Sequence, residues 1–338
     1  MTSRRLRIRL PLLALICFSL LPLCGCGREI SKSVSTFDYL DTIIRITVSA
    51  GSESEADSAL SGCLDIIRDY HFMLDADGEG FVGRLNKSET VSLSAEEKAL
   101  LLSALGMCAE TDGALDISLY PLARLWDIGG GNHVPDEDEI RETLLRCGYE
   151  KLPPVTDEYA LPAGMAIDLG AVAKGYIADK LSDYLNKAKV KSALIDLGGN
   201  IYALHEKTGG APYRIAVQSP SDPSGRIAVV EGGDVSVVTS GTYQRYFDKD
   251  GRRYHHIFDR RTGAPAQSGL LSVTIIAPSS YLADCLSTAV FVMGEEKGAE
   301  YISVQSGVSA VFALEDGSAA LYTGGEGGGY TVIMEGGK

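Results

Sequence analysis

The sequence predicts an α+β fold, and three features carry that prediction. Amphipathic helical segments dominate the first half of the chain. Short apolar runs parted by Gly, Pro and Asp turns dominate the second. Apolar and charged shares of 45% and 22% are those of a soluble protein with a full-sized core. Over 338 residues, with no internal repeat, one compact unit of two lobes fits better than two independent domains.

The elements follow in order. Arg4, Arg5, Arg7 and Arg9 precede an apolar run from Leu10 to Leu23, the layout of a secretory signal rather than a membrane span. The run ends Leu23-Cys24-Gly25-Cys26, and a small residue before a cysteine resembles the lipobox of bacterial lipoproteins. Residues 1–25 are therefore expected to be a lipoprotein signal peptide, Cys26 the lipidated residue and residues 26–35 a polar tether. The globular part, residues 36–338, would be lipid-anchored on the extracytoplasmic face of the cell membrane. A plainly cleaved signal or an uncleaved anchor is the alternative. Without the leader the chain carries 27 basic and 45 acidic residues, a net charge of −18. That argues against nucleic acid and anionic lipid surfaces as partners, and an anionic cofactor would need a local lysine or metal.

Thr42–Val48 reads as a strand and Ala56–Leu74 as a helix with apolar positions at Leu60, Cys63, Leu64 and Ile67. Ser94 with Glu97 three residues on is a capping box, opening a helix that runs to about Glu110. Helix and loop continue to Trp126. Strands are then expected at Ser192–Leu197, Ile201–Leu204, Arg214–Val217, Val235–Thr239, Tyr254–Phe258, Leu270–Ile276 and Ala310–Leu314. Cys63, Cys108, Cys147 and Cys285 show neither a C-x-x-C nor a zinc spacing and read as buried thiols.

Two patterns mislead. Gly78 to Gly83 spells G-x-G-x-x-G but follows a helix instead of a strand, so it is no dinucleotide fingerprint. Asp75, Asp77, Glu79 and Gly80 imitate a calcium loop, yet Asn86 stands where a bidentate carboxylate is needed, and a solvated acidic turn is the simpler reading. The Gly324–Gly329 cluster reads as a loop or tail.

Chemistry concentrates in three segments. In D-L-G-A-V-A-K-G (Asp168–Gly175), a strand-like lead-in through Met165 and Ile167 meets a glycine turn that opens an amphipathic helix. Helix N-termini hold phosphates through unpaired N–H groups, and Lys174 adds a positive charge. An ordinary turn with a solvated lysine remains the alternative. The second segment carries His255 and His256 at the end of an apolar run, where a polar side chain can face a cleft. In the third, Ser280 to Phe291, a helix would put Asp284, Ser287 and Thr288 on one face. A carboxylate on so apolar a helix is costly unless paired or holding a metal, and an all-oxygen set suits magnesium better than zinc. On that segment alone, a capping role for Asp284 with hydroxyls bonded back to their own helix is the simpler account.

Taken together, the segments resemble the FAD:protein FMN transferase (ApbE-like) family over essentially the whole mature chain. The matching pieces run L-D-T near Leu40, R-L-N at Arg84–Asn86, T-D-G-A-L-D at Thr111–Asp116, Leu125-Trp126, D-L-G-A-V-A-K-G-Y and D-L-G-G-N at Asp196–Asn200. They end with S-G at Ser240–Gly241, H-I-F-D with R-T-G, and A-D-C-L-S-T. The resemblance implies a T-fold-like α+β domain with a flavin cleft between its lobes. It implies magnesium held by the Ala171 carbonyl, Asp284, Ser287 and Thr288. FAD contacts would come from Leu40, Ala114, Leu115, Asp116, Asp168, Lys174 and the backbone near Phe258, with His256 beside the phosphates. Leu40, Asp41 and Arg260 stand where methionine, glycine and proline are common in the family. A tyrosine that often covers the flavin ring is missing near Ala76 or Asp77, which implies weaker FAD retention and some hydrolysis.

The implied reaction moves FMN from FAD onto a threonine of a partner protein and leaves AMP. Magnesium and Lys174 would neutralise the pyrophosphate, and Asp284 and His256 are the candidate proton acceptors. Acceptors would be exported flavoproteins such as subunits of Rnf-type or sodium-pumping quinone reductases. FAD hydrolysis to FMN and AMP, or a lipoprotein that binds FAD without chemistry, are the competing readings.

Overall fold

The computed structural model describes residues 30–222, 224–325 and 328–335; the leader and Cys26 lie outside the described residues. The chain runs β1 (Ile30–Thr36), β2 (Ile44–Ala50), α1 (Glu53–Leu74), α2 (Phe81–Asn86), β3 (Val91–Ser92), α3 (Ala95–Glu110), α4 (Tyr120–Trp126), α5 (Glu137–Leu144), β4 (Glu158–Tyr159), α6 (Gly170–Lys187), β5 (Ser192–Leu197) and β6 (Asn200–Leu204). It continues β7 (Tyr213–Gln218), β8 (Arg226–Gly232), β9 (Val235–Gly241), β10 (Tyr246–Lys249), β11 (Arg252–His255), β12 (Phe258–Asp259), β13 (Ala264–Pro265) and β14 (Leu270–Ala277). The last elements are α7 (Ser280–Met293), α8 (Glu295–Ser303), β15 (Ser309–Leu314), β16 (Ala319–Thr323) and β17 (Tyr330–Met334).

An eight-stranded antiparallel sheet, ordered β1-β2-β5-β6-β9-β14-β15-β16, organises the molecule. Helices α1, α6 and α7 pack on one face, where Ile44, Ile46, Ile195, Val273 and Ile275 join Ile67, Ile177 and Leu286 in the main core. The other face carries a small sheet, β17-β8-β7, and there Val235, Val237, Ile276 and Val311 meet Ile215 and Val230. Burial on both faces explains why β14 (L-L-S-V-T-I-I-A) shows no alternation of exposure and keeps even Ser272 and Thr274 buried. Helix α3 opens with the capping box expected at Ser94 and Glu97.

Several boundaries differ from the sequence reading. The polar tether does not extend to residue 35, because Ile30–Thr36 pairs along β2 as an edge strand. Its I-S-K-S-V-S-T sequence hides the strand: the inward positions are only half-buried, and Lys32 lies there, reaching Asp57 at 2.8 Å. The glycine cluster near residue 324 is not a tail, since Tyr330–Met334 beyond it pairs with β8. The division into a helical and a sheet-rich half holds only loosely, as β1 and β2 form one side of the same sheet that the later strands complete. The lead-in to α6 is not a strand. Its pairing comes from a side chain: the Ile167 N–H donates to Asn86 Oδ1 at 2.8 Å, and Asn86 Nδ2 donates to the Ile167 carbonyl at 2.9 Å. Likewise the run Tyr254–Phe258 is split, with β11 ending at His255. All four cysteines from Cys63 on are buried and unpaired. No helix among the described residues is long and apolar enough to cross a membrane.

Candidate active site

The site is built where α6 crosses α7. Asp179 on α6 receives the Ser280 and Tyr281 N–H groups at 2.8 and 3.0 Å and the Ser279 hydroxyl at 2.9 Å, a carboxylate docked on the positive end of α7. One turn nearer the start of α6, Gly175 lets the helices touch: a Cβ there would meet the Ser280 carbonyl at 2.3 Å and Asp284 Cβ at 2.7 Å. The Gly175 N–H donates to Asp284 Oδ2 at 2.8 Å. In a regular helix that same N–H serves the Ala171 carbonyl, so carboxylate and carbonyl converge on one place. Lys174 Nζ stands 3.8 Å from Asp284 Oδ1.

Burial pushes the Asp284 carboxyl above the usual range, and the Lys174 charge with the Gly175 and Asn200 amides pulls it only partly back. Asn200 Nδ2 is buried without a hydrogen bond of proper geometry, while its Oδ1 accepts from Ser280 Oγ at 2.8 Å. Ser287 donates back to the Asp284 carbonyl at 2.9 Å and lies 2.8 Å from Ser240 Oγ, which is 3.4 Å from Thr288 Oγ1.

These groups open into a cleft of about 730 Å³, within the range of ligand sites. Leu40, Ala114, Leu115, Asp116, Asp168, Ala171, Lys174, His256, Phe258, Asp284 and Thr288 all line it. Ser287 does not; it sits fully buried behind Thr288, its hydroxyl engaged as the capping alternative foresaw. The expected phosphate cradle is also reduced, because the Gly170 N–H donates to Asp168 Oδ1 at 2.8 Å. Asp116 has little capacity left for a ligand: it accepts from the Ser118 N–H and hydroxyl at 2.8 and 2.6 Å and from the Tyr149 N–H at 3.2 Å, with Arg260 3.5 Å away. Arg260, foreign to the family pattern, is thus tied to Asp116 and Glu150.

The two histidines part company. His255 is core: its ring faces Phe291 edge-on and its Nε2 bonds the Ala266 carbonyl at 3.1 Å. His256 faces the cleft, with its N–H and Nδ1 both 3.2 Å from the Arg245 carbonyl. A carbonyl only accepts, so Nδ1 carries the proton and Nε2 is left as a base. Burial, then the charges of Arg245 and Lys174, lowers the His256 pKa to about 4.

Sequence reasoning missed several lining side chains, Arg245 and Tyr120 among them. Arg245 lies in the turn after β9. Tyr120 opens α4 ahead of Pro121 and donates to Asp77 Oδ2 at 2.6 Å. A tyrosine placed before a proline that starts a helix was the available signal for the second. The calcium-like residues go separate ways, Glu79 to Lys87 and Asn86 to the Ala76 carbonyl. A second cavity of about 500 Å³ lies behind Ala114, lined by Arg260, Met293 and Tyr301 among others, and holds none of the metal or phosphate candidates. The larger cleft is the candidate site.

A buried carboxylate, a hydroxyl, a main-chain carbonyl and a lysine meet in one cleft of this α+β protein, with an imidazole in the same cleft, a set of groups suited to an anionic ligand. Residues 40–312 match the ApbE family, and the chain belongs to it. It is 36% identical over 326 residues to the FAD:protein FMN transferase of Treponema pallidum, covering 87% of this chain and 89% of that protein. It is 38% identical over 232 residues to the enzyme of the same name from Klebsiella pneumoniae, covering 67% and 71%. Among solved structures, the ApbE protein of Thermotoga maritima superposes with a TM-score of 0.79 at 30% identity, covering 87% and 97%. The flavin transferase ApbE of Vibrio cholerae gives 0.77 at 25%, covering 88% and 97%.

Proposed function

We propose that this protein transfers FMN from FAD to the hydroxyl of a threonine on an acceptor protein. The threonine oxygen bonds to the phosphorus of the FMN half as the pyrophosphate P–O bond breaks; AMP leaves with the bridging oxygen, and the hydroxyl proton is lost to a base. The observation that carries this reading is the convergence of Asp284, Ala171, Thr288 and Lys174 in one cleft with His256.

Magnesium fits the residues present. No group of three or more His, Cys, Asp or Glu side chains among the described residues could hold a metal. The fit therefore rests on one carboxylate with neutral oxygens, a hard donor set. Asp284, Thr288 and the Ala171 carbonyl would hold the ion, and Ser287 would support Thr288 from behind. The burial cost on Asp284 is the charge imbalance that a cation relieves. Such an ion supplies Lewis-acid neutralisation of the pyrophosphate. Lys174 adds a second positive charge, and the cleft walls orient the reacting oxygen. His256 Nε2 is the better proton acceptor of the two candidates, since both Asp284 oxygens already face positive partners, the Gly175 N–H and Lys174.

The acceptors we propose are exported flavoproteins, with Rnf-type and sodium-pumping quinone reductase subunits as the first to test. Lipidation at Cys26 would hold the enzyme on the same membrane surface. Three residues, Gly27 to Glu29, separate Cys26 from the first residue of β1, so four residue steps span at most about 14 Å of chain, and the body would ride close to the bilayer. Replacing Cys26 by Ser should end acyl labelling and free the protein from the membrane fraction.

The deciding assay supplies FAD and magnesium with and without a threonine-bearing acceptor, reading AMP and protein-bound flavin. Covalent flavin with stoichiometric AMP supports transfer. AMP without acceptor at the same rate supports hydrolysis, and FAD bound with no AMP supports a storage protein.

A further inference from the structure

The cleft is lined by six carboxylates, Asp41, Asp75, Asp77, Asp116, Asp168 and Asp284, against two side-chain cations, Lys174 and Arg245. A phosphate-bearing ligand entering so acidic a space needs each cation, and Lys174 is already committed near Asp284. Arg245 is held differently at its two ends. Its carbonyl fixes His256, and its turn is pinned by the Thr242 N–H on the Leu271 carbonyl at 3.0 Å and Gln244 Nε2 on the Thr239 carbonyl at 2.8 Å. Its guanidinium reaches across the cleft to Asp41, with 3.7 Å between the nearest nitrogen and oxygen. That is well beyond the length of a charge-assisted hydrogen bond, and both side chains are mostly exposed. Such a pair is weak and easily traded. Asp41 sits in a left-handed turn with Leu40, at φ of 50° and 59°, which keeps its carboxylate at this wall by backbone conformation instead of by packing.

We propose that Arg245 is a phosphate-binding positioning residue, and that Asp41 is its resting partner: the guanidinium exchanges the Asp41 carboxylate for a phosphate of the incoming nucleotide. The inference rests on the FAD reading above. It makes Asp41 a competitor of the ligand, so removing it strengthens binding. A pair that merely braced the fold would behave in the opposite way, each substitution weakening the site.

The test is a double-mutant cycle on the full chain, titrated with FAD, with ADP as a second phosphate-bearing probe and with riboflavin as the phosphate-free control. Arg245→Gln leaves the carbonyl that holds His256 in place and is expected to weaken FAD and ADP roughly tenfold or more, the scale of a lost charged hydrogen bond. Asp41→Asn is expected to tighten both by about two- to fivefold, as an exposed ion pair is released. Asp41→Asn should have no effect when Arg245→Gln is already present, and riboflavin affinity should stay unchanged throughout. If Asp41→Asn weakens FAD, or tightens it equally in the Arg245→Gln background, the exchange is refuted. If the unsubstituted protein binds neither FAD nor ADP, the FAD reading itself falls and takes this one with it.

Discussion

Gly175 and Asp284 meet across the α6–α7 crossing, the amide of one donating to Oδ2 of the other at 2.8 Å, with no room between them for a methyl group. The contact does two jobs: it lets the helices close, and it turns the carboxylate toward the cleft. Gly175→Ala should therefore cost about 1–3 kcal/mol of stability through overpacking and remove most AMP release, because the helices must part at the ligand-holding face. Urea unfolding alongside an AMP assay checks both. A variant with wild-type stability would show that the crossing is slack.

Asp284 carries opposite consequences for stability and function. Its folded pKa lies above the unfolded value. The ionised carboxylate therefore costs stability at neutral pH, and that cost disappears as pH falls below the unfolded pKa. Asp284→Asn should raise the Tm of metal-free protein at pH 7.5, abolish any further rise on adding magnesium, and abolish AMP release. FAD should still bind, more weakly. Thermal melts with and without magnesium, read beside an FAD titration, test this; a magnesium-induced rise retained by the variant would remove Asp284 from the metal set.

His256 gives a pH dependence of the other sign. A base held near 4 when folded and near 6.5 when unfolded contributes stability that is complete above about pH 6.5 and is lost as pH falls toward 4. His255 behaves the same way, so His256→Asn should remove only part of the difference between unfolding at pH 7.5 and at pH 5. In activity, the imidazole stays a competent base through that window. The acid limb of kcat/KM assigned to it should appear only below about pH 5, and an acid limb near 6.5 would rule out this environment for the catalytic base.

Much of this site could be read from residue order. A glycine opening a helix, a lone aspartate on an apolar helix and a histidine ending an apolar run each mark a residue that lines or opens onto the cleft, although each alone also has a plain structural account. The misses have physical causes as well. Ser287 was placed with the metal because helical spacing fixes a face but cannot show that Ser240 approaches it from β9. Asn86 looked like a failed calcium ligand, when its amide substitutes for a neighbouring strand beside Ile167. The edge strand β1 escaped because its inward positions are only half-buried. Arg245 and Asp41 meet over 200 residues of intervening chain, and no local pattern records that.

Tyr120 bears on how firmly the flavin is kept. The family resemblance implies an open side to the cleft, because Ala76 and Asp77 stand where a ring-covering tyrosine is common. Both residues do line the cleft, yet the Tyr120 ring reaches the same place from α4, with its hydroxyl fixed on Asp77. Arg124 supports that arrangement, 3.5 Å from Asp77 and 5.8 Å from the Tyr120 ring centre. The anchor is rigid, since Leu122 and Trp126 of the same short helix are buried. An aromatic face so placed can pack on a flat heterocycle and exclude water from it. Tyr120→Ala should therefore weaken FAD by about 1 kcal/mol, near fivefold, and raise AMP release in the absence of acceptor. Tyr120→Phe keeps the ring and should lose less. Ala76→Tyr added to Tyr120→Ala should recover both affinity and protection from hydrolysis, as it supplies a ring from the neighbouring Ala76–Asp77 segment. Flavin fluorescence titrations and acceptor-free AMP assays on the three variants decide the matter: unchanged quenching and affinity in Tyr120→Ala would mean that the flavin never meets this ring.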